Sequence, residues 1–311
     1  MSNAIEQERR GYFEGDMEKP EYIKEMYRKW HSTLFEYSES LALTNIRKIE
    51  IEAGQVVVTT RDRGIRLACI PGDYRIAPIH ILNFYDHEKD ESQMIEKLVD
   101  DEATVFDVGA NIGWYSINLA VSRRNSKIYA FEPIPRTYSY LEKNVGLNGL
   151  TNVFPQNFGF SKEAGEVPFY YYPEGSGNAS MANLTGRTDL ETVTSQLRTL
   201  DSFAKEMGAT VDFIKCDVEG AELFVFQGAL ETLQTQQPVI ATEMLRKWAA
   251  KYDYHPNKII SLLSELGYSC FTTDGQHLFP FKIMDESTVE TNFFFLHEDK
   301  HVDIINLYTS L

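Results

Sequence analysis

The chain is short of cysteine, of basic residues and of long apolar runs, and each shortage removes a class of function. Among 311 residues there are three cysteines, Cys69, Cys216 and Cys270. They are widely spaced, odd in number and set among apolar neighbours, so they read as reduced core thiols, not as a disulfide framework or a zinc site. Lys and Arg total 30 against 46 Asp and Glu, a formal net charge of −16. Such a surface repels phosphates, and no basic cluster interleaved with aromatics offsets it, which argues against a nucleic-acid partner. No run approaches the roughly 18 apolar residues that cross a bilayer. The first residues also lack the basic-then-apolar order of a secretory signal, so a cytoplasmic protein is expected. What is present is 43% hydrophobic content, enough for a sizeable core.

The stretch TVFDVGANIGWYS, residues 104–116, organises the rest. Residues 104–108 are rich in β-branched and aromatic side chains, as a parallel strand covered on both faces should be. Gly109 and Gly113 then permit a tight turn, and apolar residues at helical spacing follow. Strand, glycine turn and helix start make a nucleotide-sized pocket with free backbone N–H groups. A dinucleotide fingerprint would need a third glycine, which is missing here, and Asp107 at the strand end would repel a pyrophosphate. That carboxylate suits a ligand carrying a sulfonium and an ammonium, as S-adenosylmethionine does. Residues 127–131 form a second short apolar strand ending in Glu132-Pro133, where a carboxylate accepts hydrogen bonds from a ribose diol.

The motifs DVGANIGWYS, YAFEPIPRTYSYLEKNV, LRTLDSF and FIKCDVEGAELFVFQGA occur in this order. Together they resemble the FkbM family of S-adenosylmethionine-dependent methyltransferases over residues 90–296. The resemblance implies a doubly wound (Rossmann-like) α/β fold, a seven-stranded mostly parallel sheet of the class I methyltransferase type. It implies a cofactor site drawn from Asp107, Gly109, Asn111, Gly113, Tyr115, Ser116, Glu132, Pro133, Asn157, Gly159 and Asp217, with Ser161 a further candidate beside the adenine. An acidic residue commonly enters the helix before the central strand in this family, which brings Glu91 toward the cofactor.

Three carboxylates, Asp217, Glu219 and Glu243, follow two further strands, at 211–216 and 238–242, on the side where open α/β sheets place their crevice. With His255 they are the candidates for the base that takes the acceptor's proton. Asp217, Glu219 and Glu243 are also a possible set of ligands for a divalent cation such as magnesium. Asp217 or Glu219 as a cap of the next helix is the competing reading.

Around this centre, residues 1–90 read as an accessory region and 91–311 as the methyltransferase domain. Residues 1–15 are expected to be loose. Residues 21–40 form an aromatic-striped helix, expected to pack on the body of the protein, with self-association or acceptor capping as alternatives. Residues 46–51 and 56–60 read as a hairpin, with 65–70 a third strand. The acidic run 86–91 reads as a solvated surface. A third core strand is expected at 152–156, and a hairpin joins 158–161 to 167–172. The long loop 173–187, with Ser176 and Asn178, is either a lid or a surface loop. Residues 192–200 read as a strand delivering Asp201 as cap of the helix 202–207. Strands at 268–273 and 291–296 flank an excursion at 274–290.

The expected activity is O-methylation of a hydroxyl on a small molecule such as a sugar, glycan or natural-product precursor. A non-catalytic nucleoside-binding scaffold and a nicotinamide-dependent oxidoreductase are the alternatives, the latter opposed by the missing glycine.

Overall fold

Period-two alternation and turn chemistry act first near the N-terminus. Ile46–Glu52 (β1) and Gln55–Thr60 (β2) pair antiparallel, and Arg66–Ala68 (β3) joins β2. This computed structural model describes residues 4–172, 174, 175, 177, 179–184, 186, 188, 190–208 and 210–309; Ser176 and Asn178 lie outside them. After the hairpin come β4 (Thr104–Val108), β5 (Lys127–Phe131), β6 (Val153–Gln156), β7 (Gly159–Phe160), β8 (Gly165–Tyr171) and β9 (Glu191–Arg198). They are followed by β10 (Phe213–Cys216), β11 (Val239–Glu243), β12 (Tyr268–Thr273), β13 (Leu278–Phe281) and β14 (Asn292–His297).

The main sheet runs in the order β13-β12-β14-β11-β10-β4-β5-β6. Strands β6, β5, β4, β10 and β11 are mutually parallel, and β14 enters antiparallel between β11 and β12. This is the order of a class I methyltransferase sheet, doubly wound about β4. It has eight strands among the described residues where seven were expected. The 274–290 excursion supplies the eighth: β13 folds back on β12, burying Leu278 and pairing backbone groups that an edge strand would leave free.

Alternation along β4 sends Val105 to one face and Phe106 to the other, and each begins a separate core. The Val105 core is closed by the helices Lys89–Leu98 and Trp114–Ser122 and by the β1–β3 sheet through Ile46, Val58 and Leu67. The Phe106 core is closed by Leu200–Met207, Glu222–Gln227, Leu230–Thr235 and Asn257–Glu265. Phe106, Phe131 and Phe203 meet there edge to face, the geometry that aromatic quadrupoles favour.

Several expectations are corrected. Residues 158–161 and 167–172 do not form a hairpin together: β7 pairs parallel and β8 antiparallel with β9, in a separate sheet. Residues 192–200 therefore contribute to that small sheet. Thr199, not Asp201, caps the helix Leu200–Met207, its side chain accepting from the Ser202 N–H. The Asp201 carboxylate instead accepts from the N–H groups of Glu231 and Thr232, at the start of Leu230–Thr235. The N-terminal residues are not loose but helical over Ala4–Glu14, held to the next helix by stacking of Tyr12 on Tyr22. Residues 19–40 are helical but broken by a π turn at Tyr27–His31. The inserted residue of a π turn rotates the downstream face, splitting the aromatic stripe. Met26 is buried, whereas Tyr27 and Phe35 stay 53% and 62% exposed, so the stripe does not pack on the body.

Candidate active site

The site starts from Gly109. Its φ of +78° and its contact with the neighbouring loop both require a residue without Cβ: a methyl added there would lie 1.8 Å from the Asp217 carbonyl oxygen. The N–H groups of Gly109 and Ala110 both donate to the Phe131 carbonyl, at 3.0 and 2.9 Å, which pins the β4 turn to the end of β5. Gly113, also at positive φ, opens the helix Trp114–Ser122 and packs under Leu141, away from the cleft.

Beside this turn lies a cleft with about 670 Å³ of space free of protein atoms, its mouth included, within the usual size of small-molecule sites. Gly109, Asn111, Glu132, Pro133 and Gly159 line one side, Asp217 and Glu219 another, and Phe169, Met181 and Leu197 from the small sheet and its loop cover it. Glu132 is 6% exposed. Its Oε2 accepts from the Asn111 N–H at 3.1 Å and its Oε1 from the Ile134 N–H at 2.9 Å. Burial pushes its pKa up to about 7, against the pull of those two N–H groups and of Lys215.

Asp107 is not at the cleft. It is 1% exposed, accepts from the Ser116 hydroxyl at 2.6 Å, and lies 3.6 Å from the Lys215 ammonium. The β4–β10 register places Asp107 opposite Lys215, and alternation points both toward the helix Trp114–Ser122. Lys215, 7% exposed, also donates to the Gly109 carbonyl at 3.0 Å and approaches Asp217 at 3.5 Å. Burial lowers its pKa, but Asp217, Asp107 and Glu88 outweigh burial, and the ammonium stays charged. Lys215 was missed in the sequence. Its signal was a lone cation in the apolar strand FIKC, two residues before Asp217.

Asn157, expected beside the adenine, is a brace instead: its amide donates to the carbonyls of Glu132 and Pro133. Ser161 is buried against Gly228. Gly159 alone of those three lines the cleft.

A narrower pocket continues on the far side of Asp217, walled by Glu88, Glu91, Tyr115, Lys215, Glu243 and Asn292. The Tyr115 hydroxyl donates to Glu88 at 2.7 Å, and Asn292 donates to Glu91 at 3.3 Å. Glu88 and His87 thus turn inward from the 86–91 run expected to be solvated, the chain reversing through left-handed backbone at Tyr85 and Glu88. Such residues could not be told from surface acids without knowing which way the loop turns.

Glu219 sits in left-handed backbone at φ +54°, and its Oε2 is buried without a hydrogen-bond partner among the described residues. Burial, then Asp217 and Glu222, raise its pKa well above the usual carboxylate range; burial, Asp217 and Glu219 do the same to Glu243. Glu222, unassigned in the sequence, holds the 217–220 loop by accepting from the N–H groups of Val218 and Gly220, each at 3.0 Å. Its pKa also rises to about 7, chiefly through burial.

Two expectations fail at this point. His255 lies outside the cleft, exposed at the start of Asn257–Glu265, where its Nδ1 accepts from the Asn257 N–H. Among the described residues, no three His, Cys, Asp or Glu side chains are grouped so as to hold a metal ion. Asp217, Glu219 and Glu243 therefore do not form the magnesium site considered above. They are split between the two pockets, with a lysine beside Asp217.

The methyltransferase FkbM domain profile matches residues 107–270, more than half of the 311-residue chain. The chain belongs to the FkbM methyltransferase family. Among curated relatives of this FkbM member, methyltransferase sdnD of Sordaria araneosa is 29% identical over 190 residues, covering 48% of this chain and 73% of that protein. Hexuronic acid methyltransferase AglP of Haloferax volcanii is 27% identical over 154 residues, covering 49% and 61%. Methyltransferase 1 of Beauveria bassiana is 28% identical over 153 residues, covering 41% and 59%. The chain thus spans between about three fifths and three quarters of the length of these relatives. A solved structure titled methyltransferase FkbM, from Methylobacillus flagellatus KT, is 17% identical, with a TM-score of 0.41 over 69% of this chain and 52% of that one. No helix among the described residues is long and apolar enough to cross a membrane.

Proposed function

We propose that this FkbM-family chain transfers a methyl group from S-adenosylmethionine to a hydroxyl of a small molecule. The observation that carries the reading is Glu132, a buried carboxylate at the end of β5 that lines the cleft beside the Gly109 turn. The cleft fits an adenosyl group. Gly109 and Gly159 leave it free of side chains, Pro133, Ile134 and Phe160 give apolar walls for a purine, and Glu132 offers acceptors for two ribose hydroxyls. When bound, S-adenosylmethionine supplies a methyl on a positively charged sulfur, which leaves as a neutral thioether when the acceptor oxygen displaces it.

The chain's own residues set up that displacement by position and charge. Asp217 and Glu219 line the cleft and Glu243 stands behind Asp217 in the narrower pocket. Crowded and buried, Glu219 and Glu243 favour their protonated forms. A positive charge near them would favour their ionised forms, and Glu219 or Glu243 would then be the carboxylate that takes the acceptor's proton. Lys215 pairs with the buried Asp107 and ties the Gly109 turn to the Asp217 strand. Two relatives bear on the acceptor by their names, hexuronic acid methyltransferase AglP and 2-O-methyltransferase NoeI of Sinorhizobium fredii, the latter 27% identical over 166 residues. They support a hydroxylated, sugar-like acceptor.

Calorimetric titration with S-adenosylhomocysteine tests the reading on wild type, Glu132→Ala and His255→Ala. Binding by wild type and His255→Ala, lost in Glu132→Ala, is expected. A folded wild type that does not bind would reject the methyltransferase reading and favour a scaffold.

A further inference from the structure

The segment 179–184 joins two walls of the cleft. Ala179 and Met181 line the cleft and pack with Phe169, Tyr171 and Leu197 of the small sheet. Between them Ser180, 1% exposed, pairs with Tyr170 near the end of β8: its N–H donates to the Tyr170 carbonyl at 3.1 Å and its carbonyl accepts from the Tyr170 N–H at 2.8 Å. That bridge holds the segment to the small sheet. Its tie to the 217–220 loop is made by hydroxyl groups.

The Ser180 hydroxyl donates to the Glu219 carbonyl at 3.1 Å and lies 2.5 Å from the Tyr252 hydroxyl, whose oxygen accepts from the Ala182 N–H at 3.2 Å. Serine has one hydroxyl proton, here spent on Glu219, so Tyr252 is the donor to Ser180. The chain runs in one direction, from the Ala182 N–H through Tyr252 and Ser180 to the Glu219 carbonyl. Burial pushes the Tyr252 pKa up to about 12, so the hydroxyl keeps its proton at neutral pH. The ring itself, in the turn Ala250–Tyr252, stands edge-on to Phe224 at 5.7 Å, a contact that needs no hydroxyl. At the other end of the chain, Glu219 holds left-handed backbone that a residue with a side chain rarely adopts, and bonds from outside keep it there. Glu222 holds the N–H groups of Val218 and Gly220 on either side, and Ser180 holds Glu219 itself.

We infer that Tyr252 is a positioning residue that, through Ser180, latches the segment 179–184 over the cleft and onto Glu219, so that the methyl donor enters and leaves by breaking this chain. The assignment rests on the reading of the cleft as a methyl-donor site and adds how that site is closed. Three hydrogen bonds are few enough to break and re-form on the timescale of lid motions. The latch also makes the conformation of Glu219, a carboxylate of the cleft, depend on the segment that covers the donor.

Two measurements on the full chain test it, with Tyr252→Phe, which keeps the ring on Phe224, and Ser180→Ala. The first is amide hydrogen exchange by NMR without ligand. In Tyr252→Phe the amides of Ser180, Val218 and Gly220 should exchange about tenfold faster, the worth of one hydrogen bond. Unchanged exchange, or faster exchange at Ala182 alone, would show that the tyrosine merely caps that N–H and overturns the inference. The second is stopped-flow binding of S-adenosylhomocysteine, followed by the fluorescence of tryptophan, Trp248 lying against Gly220. Both association and dissociation should be about tenfold faster in each variant, with Kd within about threefold of wild type, which also shows that the variants are folded. The double variant should be no faster than either single one, because both changes break the same chain. Faster dissociation at an unchanged association rate, or a further tenfold gain in the double variant, overturns the latch. Coupled exchange at 180 and 217–220 in a wild type that binds no S-adenosylhomocysteine would support the latch and reject the methyl-donor reading.

Discussion

Replacing Glu132 by Gln should change how stability and cofactor binding respond to pH. The carboxyl moves from its ordinary 4.5 to about 7 on folding. The folded chain therefore holds this proton more tightly than the unfolded chain. Stability is undiminished below 4.5 and falls as pH rises from 4.5 through 7. Fully ionised, the group costs about 3 kcal/mol, and about 1 kcal/mol of that accrues between about pH 6 and about pH 8. In Glu132→Gln that pH-dependent part is absent. The variant carries a separate, constant loss of about 1–3 kcal/mol, because its amide nitrogen faces the N–H of either Asn111 or Ile134. Urea denaturation of both proteins at the two pH values separates the terms: the offset reports the hydrogen bond and the slope reports the proton. Titration with S-adenosylhomocysteine gives a second reading. If ribose hydroxyls donate to the ionised carboxylate, wild-type affinity should fall about tenfold from about pH 8 to about pH 6, and that of Glu132→Gln should stay nearly level. Equal pH slopes in the two proteins would refute the argument that burial controls this carboxyl.

Other expectations follow from the same geometry. Gly109→Ala must relieve both a positive φ and an overlap with the Asp217 backbone, and should lose about 3 kcal/mol or more in urea denaturation together with S-adenosylhomocysteine binding; full stability would contradict the close approach. Lys215→Met leaves Asp107 buried without its counter-charge and should cost about 3–5 kcal/mol, with Asp107→Asn in the same chain restoring a measurable part. No recovery in the double variant would show that the lysine acts chiefly through the Gly109 carbonyl. His255→Ala should change stability by less than about 0.5 kcal/mol, as for an exposed residue, and leave methyl transfer unaffected in an assay of S-adenosylhomocysteine release.

The sequence by itself determined the elements that local chemistry can specify. TVFDVGANIGWYS reads as strand, turn and helix because β-branched residues, two glycines and a helical apolar repeat each constrain a few neighbouring dihedrals. Glu132 and Asp217 were legible for the same reason, since a residue directly after a buried parallel strand emerges at the ligand end of the sheet. Tertiary structure decided which carboxylates face what. Asp107 precedes its glycine as a ligand-facing residue would, yet the register with β10 sets it against Lys215 beneath the pocket floor. Strand register is a pairing of residues more than a hundred positions apart, and no local pattern encodes it. Glu88 and His87 look like surface in an acidic run, but left-handed turns at Tyr85 and Glu88 fold them inward. His255 sits near a candidate strand in sequence and outside the site in space. Local propensity gave the pieces, whereas packing of the two sheet faces chose which polar groups were buried, and burial sets their charge and chemistry.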